Sequence, residues 1–241
     1  MPSRTLLLLT LLLAGPALAQ PNRPAQPRPS APPAETRAQP GRPGWAVDAQ
    51  SGCWLWNPNP RPGATARWRG ACPRGPAQGL GEAEWRWSED GRPRLDRYAG
   101  TLRDGRVDGE GSITQANGDF YQGGLREWRP HGQGIAILGN GNRYIGEFED
   151  GLRHGQGSML WANGDQYDGQ WRGDLPDGPG SLMRGAEPAL SGQWRGGCLR
   201  LSGRLVVLDR ALAGCSGNDI AAEAGTALPD NEAIGRDLAK Q

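Results

Sequence analysis

Residues 98–120 read YAGTLRDGRVDGEGSITQANGDF, residues 121–143 YQGGLREWRPHGQGIAILGNGNR, residues 144–166 YIGEFEDGLRHGQGSMLWANGDQ and residues 167–189 YDGQWRGDLPDGPGSLMRGAEPA. The four blocks of 23 residues abut with no insertion or deletion, and each opens on one of the protein's 4 tyrosines, Tyr98, Tyr121, Tyr144 and Tyr167. Glycine recurs at the third place (Gly100, Gly123, Gly146, Gly169), the twelfth (Gly109, Gly132, Gly155, Gly178) and the fourteenth (Gly111, Gly134, Gly157, Gly180). A fixed period of this length is the signature of one small unit stacked on copies of itself.

Alternation within a block sets its secondary structure. Over the first five places Tyr, Gly and then Leu102, Leu125, Phe148 or Trp171 hold the odd positions, while the even ones are mostly small or polar. A period of two is a strand. A glycine-rich bend follows, and after the fourteenth place comes a return strand: 112–115, 135–138, 158–161 and 181–184. Three blocks then carry Asn-Gly (Asn117-Gly118, Asn140-Gly141, Asn163-Gly164), the strongest two-residue signal for a type I′ turn. Each block is predicted to be one β-hairpin, joined to the next through its Asn-Gly pair.

The pattern extends weakly in both directions. Trp68-Arg69-Gly70 stands where Tyr-x-Gly would, with Gly75 in the bend and Gly79 and Gly81 at the twelfth and fourteenth places. Leu190, Gly192, Trp194, Gly197 and Gly203 keep the frame at the other end, with 205–208 as the expected return strand. Hairpins are therefore expected near 68–97, 98–120, 121–143, 144–166, 167–189 and 190–212. The predicted fold is all-β: an elongated, twisted antiparallel sheet of stacked hairpins spanning 45–215.

Residues 1–19 combine an early cation, Arg4, a leucine-rich run and Ala17-Leu18-Ala19, which reads as a cleaved secretory signal peptide. The apolar run falls short of the roughly 20 residues that a membrane-spanning helix needs. The expected location is therefore the periplasm or the exterior. Residues 20–44 are rich in Pro, Ala, Arg and Gln with nothing to bury before Trp45, so a flexible proline-rich linker is expected. Residues 216–241 lose the repeat and carry Asp219, Glu223, Asp230, Glu232 and Asp237; a short helix and a disordered acidic tail are both compatible with them.

The 4 cysteines of a secreted chain suggest two disulfides. A hairpin through the proline-rich loop near Pro62 would set Cys53 opposite Cys72, leaving Cys198 for Cys215. One bridge then closes each end of the array, where unpaired strand edges invite fraying. Each would contribute on the order of 3 kcal/mol.

No catalytic, metal or cofactor set emerges. His131 and His154 share the eleventh place with Asp108 and Asp177, but equivalent places in successive hairpins lie roughly 9–10 Å apart. One zinc ion needs ligand nitrogens about 2 Å from it. No nucleophile elbow or third orienting group supports a hydrolase built on either histidine. Removal of Arg4 leaves a formally neutral chain, without the basic face that nucleic acid requires. The remaining candidate is a surface formed by Tyr98, Tyr121, Tyr144, Tyr167, Phe148, Trp161 and Trp171, rings over a bare glycine floor. These rings are expected to be core packing, part of which could also form an open groove for a ligand.

Tyr-x-Gly, the glycine-rich bend, Gly-x-Gly and Asn-Gly-Asp at this spacing resemble the MORN (membrane occupation and recognition nexus) repeat, from about Trp68 to Gly203. The opening Trp68-x-Gly70-x-Cys72 resembles the first repeat of secreted bacterial members. Trp128 and Asp174 depart from the eighth-place glycine of the pattern. The resemblance implies a twisted sheet used for protein or lipid association, with no enzymatic activity. The first expectation is a scaffold for a protein partner in the cell envelope, and the second a glycan-, peptidoglycan- or lipid-binding module.

Overall fold

The computed structural model describes residues 41–73 and 75–208, with Pro32, Ala38, Gln39 and Cys215. The expected signal peptide, most of the expected linker and the acidic tail lie outside them. The described elements are all strands: β1 Gly44–Val47, β2 Trp54–Asn57, β3 Thr65–Ala71, β4 Gln78–Glu89, β5 Arg92–Arg103, β6 Arg106–Thr114, β7 Phe120–Arg126, β8 Arg129–Ile137, β9 Arg143–Glu149, β10 Leu152–Leu160, β11 Gln166–Arg172, β12 Leu175–Met183, β13 Leu190–Arg195, β14 Cys198–Leu201 and β15 Arg204–Val207. β3 to β15 form one antiparallel sheet of 13 strands in sequence order, and β1 and β2 pair as a separate ribbon.

Each block is one hairpin, but its turn lies earlier than the sequence suggests. Arg103 pairs with Arg106, Arg126 with Arg129, Glu149 with Leu152 and Arg172 with Leu175. The seventh and eighth places are thus two-residue turns with both φ values positive: Asp104 and Gly105 (49°, 74°), Glu127 and Trp128 (50°, 69°), Asp150 and Gly151 (50°, 89°), Gly173 and Asp174 (56°, 72°). These are the type I′ turns whose twist suits a hairpin. Each return strand consequently spans nine residues, and Gly-x-Gly lies inside it. The register shifts there in every intra-block hairpin, which is a β-bulge that bends the strand.

The Asn-Gly segments are longer loops than expected. Gln115 donates its N–H to Asp119 O (2.8 Å) and Gly118 to Gln115 O (3.0 Å), with the same arrangement at Leu138–Asn142 and Trp161–Asp165. Only the glycine takes positive φ, so this is a three-residue connection ending in a left-handed glycine, not a type I′ pair. A carboxylate or carboxamide at the equivalent place, two after the asparagine for Asp119 and Asn142 and within β5 for Asp96, reaches the next loop. Oδ1 of Asp96, Asp119 and Asn142 accepts the N–H of Ala116, Gly139 and Ala162 at 2.8, 2.8 and 2.9 Å.

One line of glycines crosses ten strands. Gly81 pairs with Gly100, then Gly111, Gly123, Gly134, Gly146, Gly157, Gly169, Gly180 and Gly192 in turn. Each tyrosine ring lies over the third- and fourteenth-place glycines of its own block, and Trp68 lies over Gly70 and Gly81. A Cβ on Gly157 would collide with the Oη of Tyr144 and stand 2.5 Å from Cζ and 2.6 Å from Cε2. Gly157→Ala is therefore expected to cost on the order of 1–3 kcal/mol by overpacking. Urea titration checks this, and the loss should shrink in a Tyr144→Leu background.

Both ends are closed. Cys53 bonds Cys72 and Cys198 bonds Cys215, with Cα atoms 5.7 and 6.0 Å apart. The first pair forms without the hairpin invoked for it, because β2 pairs with β1 in register Gly44↔Asn57 instead of with β3. The outer edge of β3 is met by the buried Asp48, whose Oδ2 accepts the Trp68 N–H at 3.1 Å. Burial alone would raise that carboxyl, but donors from Gln50, Ser51 and Trp68 together hold it below the ordinary carboxylate range. At the other end the unit 190–207 has two tight turns, so β14 is the return strand and β15 a third strand, where a single return strand at 205–208 was expected.

Candidate functional site: two faces of one sheet

The seven rings singled out in the sequence are brought to one side, as a packed column. Tyr98, Tyr121, Tyr144, Tyr167, Phe148, Trp161 and Trp171 are at most 3% exposed. Phe148 stands edge-on between Tyr121 (5.3 Å) and Tyr144 (5.0 Å), Trp171 between Tyr144 (5.5 Å) and Tyr167 (5.1 Å), and Trp194 against Tyr167 (5.3 Å). Edge-to-face pairs at these separations add about 0.5–1.5 kcal/mol each beyond area burial. Their role is core packing. The open groove that part of the row could have formed is filled by the rings themselves, each tyrosine lying over the glycines of its own block.

The polar ends of these rings are used inside the column. Each tyrosine donates to the carbonyl three residues on: Thr101 (2.8 Å), Gly124 (2.7 Å), Glu147 (3.0 Å) and Gln170 (3.1 Å). Trp171 Nε1 donates to Gly157 O at 3.1 Å and Trp194 Nε1 to Gly180 O at 3.2 Å. Burial pushes all four phenols up, well beyond the usual tyrosine range.

The opposite face is where side chains meet solvent. Ile135 of β8 sits directly across from Ile145 of β9, Phe120 across from Ile137, and Leu160 across from Arg143. Ile135, Ile145, Leu160 and Met183 are 38, 48, 42 and 42% exposed. The patch was missed in the sequence because Ile135 and Ile145 replace small or polar residues (Ser112, Ser158 and Ser181; Ala99, Gln122 and Asp168) at their places in the other blocks. The available signal was the interruption of that polar pattern within 120–160.

Three of the four eleventh-place residues meet a side chain of their own block, while the Nδ1 of His131 is buried without a partner. Asp108 meets Arg103 (3.0 Å), His154 meets Glu149 (3.3 Å) and Asp177 meets Arg172 (3.5 Å). Such partly exposed pairs contribute little. Among the described residues no three His, Cys, Asp or Glu side chains gather as metal ligands would.

At the N-terminal end, Trp45 stands edge-on to Trp54 (4.5 Å) and Trp56 (5.2 Å), and the Arg106 guanidinium lies 4.2 Å over Trp56. This cluster fastens the β1–β2 ribbon onto the array.

The model of the MORN repeat matches residues 98–120, 121–143, 144–166 and 167–184. No curated protein matches the chain. The first three matches coincide with the blocks, the fourth stops five residues before its block ends at 189, and the sheet continues past the matches through β3, β4 and β13 to β15. Residues 98–184 are similar to four consecutive MORN repeats, a repeat family generally used in protein and lipid interaction.

Proposed function

We propose that this chain is a secreted or periplasmic, non-enzymatic scaffold that holds a protein partner of the cell envelope against the outward face of its sheet. The observation that carries this reading is the apolar patch of Ile135, Ile145 and Leu160, exposed on the face opposite the buried rings, with the half-buried Phe120 and Ile137 beside them on β7 and β8. Exposed contiguous apolar surface marks an interaction site more often than an isolated exposed leucine does. Gln122, paired with Ile135, and Arg143, paired with Leu160, supply polar neighbours that suit the rim of a protein interface. The sequence offers no reaction centre, and the repeats are an interaction module.

Ile145→Lys tests the face. The substitution lies on the surface, so stability should stay within about 0.5 kcal/mol. Capture from envelope extract, quantified by mass spectrometry, should lose the specific partner at least tenfold. An unchanged set of captured proteins would remove this face as the site.

A further inference from the structure

The disulfide ties down the C-terminal end of the array covalently, yet the last strand keeps an edge. β15 pairs with β14 alone, so one side of Arg204–Val207 has no neighbour among the described strands. An edge of this kind is a template for pairing with another chain.

Alternation sorts the side chains of the last strands. Leu199 is buried, and Val206 opposite it packs on the same core. Cys198 and Arg200 of β14, with their partners Val207 and Leu205, therefore face outward. Arg195 of β13 stands across from Cys198. Leu205 and Val207 are half-buried, and Arg195 and Arg200 are exposed. The outward end of the sheet thus sets two apolar side chains beside two guanidinium groups. β13, β14 and β15 together hold Arg195, Arg200 and Arg204 and no acid. Asp177 of the neighbouring β12 is engaged by Arg172 (3.5 Å) and by the Gly196 N–H (3.2 Å).

The Cys198–Cys215 bridge decides which part of the chain lies within reach. It holds the two Cα atoms 6.0 Å apart, so residues 216–241 start beside Arg195 and Val207. They carry Asp219, Glu223, Asp230, Glu232 and Asp237 against Arg236 and Lys240, with Ile220, Leu228, Ile234 and Leu238 among them. This sequence complements the surface in both charge and apolar content. Strands lie about 4.8 Å apart, so β13 to β15 present a width of about 10 Å, well inside the span of the segment.

We propose that residues 216–241 dock on the outward face of β13 to β15, their carboxylates on Arg195 and Arg200 and their apolar side chains over Leu205 and Val207. Exposed ion pairs are weak singly. The disulfide makes the contact intramolecular, however, and a high effective concentration lets weak contacts hold. The docked segment also covers the edge of β15, which keeps one copy from extending its sheet with another. This surface is separate from the patch on β7 to β10 and does not depend on the partner proposed there.

Hydrogen–deuterium exchange of the full chain at low micromolar concentration, read by mass spectrometry, tests the contact. Amides within 216–241 should exchange at least tenfold more slowly than those of a fully exposed peptide. Arg195→Glu combined with Arg200→Glu should abolish that protection and leave β3 to β12 unchanged. Salt at about 1 M should act in the same direction by screening. Lys240 is the single lysine, so a photocrosslinker coupled to its amine should join peptides of β13 to β15 in the native chain and not in the double variant. Exchange of 216–241 at the fully exposed rate overturns the proposal, as does protection indifferent to the charge reversal. Protection that appears only with a concentration-dependent dimer also overturns it and assigns the surface to a second copy.

Discussion

Raising the pH above about 10 is expected to unfold this protein steeply, and the four tyrosines are the reason. An exposed phenol titrates near pH 10, whereas Tyr98, Tyr121, Tyr144 and Tyr167 are held protonated by burial to well above that. A raised native pKa means that the stability these groups contribute is intact below pH 10. It is lost as the pH climbs past it, because only the unfolded chain releases the protons. Each group then removes about 1.4 kcal/mol per pH unit, or roughly 5 kcal/mol per unit for four. Against a typical total of about 5–15 kcal/mol, unfolding should follow within a few units. Competing titrations are few: Lys240 is the single lysine, the described cysteines are bridged, and arginine stays charged to above about pH 12. Phenolate absorbance and loss of sheet circular dichroism should rise together. Phenolate appearing near pH 10 in a chain with its sheet intact would contradict the ring column.

The second large effect concerns Arg153 and Asp174. Arg153 occupies the tenth place, filled by Val107, Pro130 and Pro176 elsewhere, and is 2% exposed. Its Nε and backbone N–H both reach Asp174 Oδ1 (3.1 and 2.9 Å), its other guanidinium nitrogen reaches Asp174 O (2.8 Å), and its head lies 4.4 Å over Trp171. Asp174 sits in the eighth-place turn at φ 72°, a position that suits glycine. Asp174→Gly should nevertheless destabilise by about 3–5 kcal/mol, since it leaves a guanidinium buried without its carboxylate. Arg153→Pro combined with Asp174→Gly reproduces the Pro130 and Gly151 pairing and should return stability to within about 1 kcal/mol of the native chain. Additive losses in a double-mutant cycle by guanidinium denaturation would show that the two residues are not coupled.

Much of this fold was legible because repetition multiplies weak signals. A lone Tyr-x-Gly says little, but Tyr98, Tyr121, Tyr144 and Tyr167 at one spacing fix a strand, its inner face and its number of copies. Both disulfides were legible as well, although Cys53 and Cys72 meet through a ribbon that the sequence reading replaced with a hairpin. Turn placement was less accessible. Asn-Gly is the louder local signal, yet Asp104-Gly105, Glu127-Trp128, Asp150-Gly151 and Gly173-Asp174 form the tight turns, because the fourteenth-place glycines must pair with the third-place ones for the rings to lie over both.

For the aromatic row core packing was the expectation, and all seven rings are buried. The sequence by itself determined the period, the antiparallel hairpins, the aromatic face and the closed ends, since each depends on neighbours within one or two blocks. Tertiary structure alone decided how completely the rings are buried, none of the seven being more than 3% exposed. It also decided that Ile135, Ile145 and Leu160 face solvent. Those outcomes depend on curvature accumulated over many strands, and no local pattern encodes it.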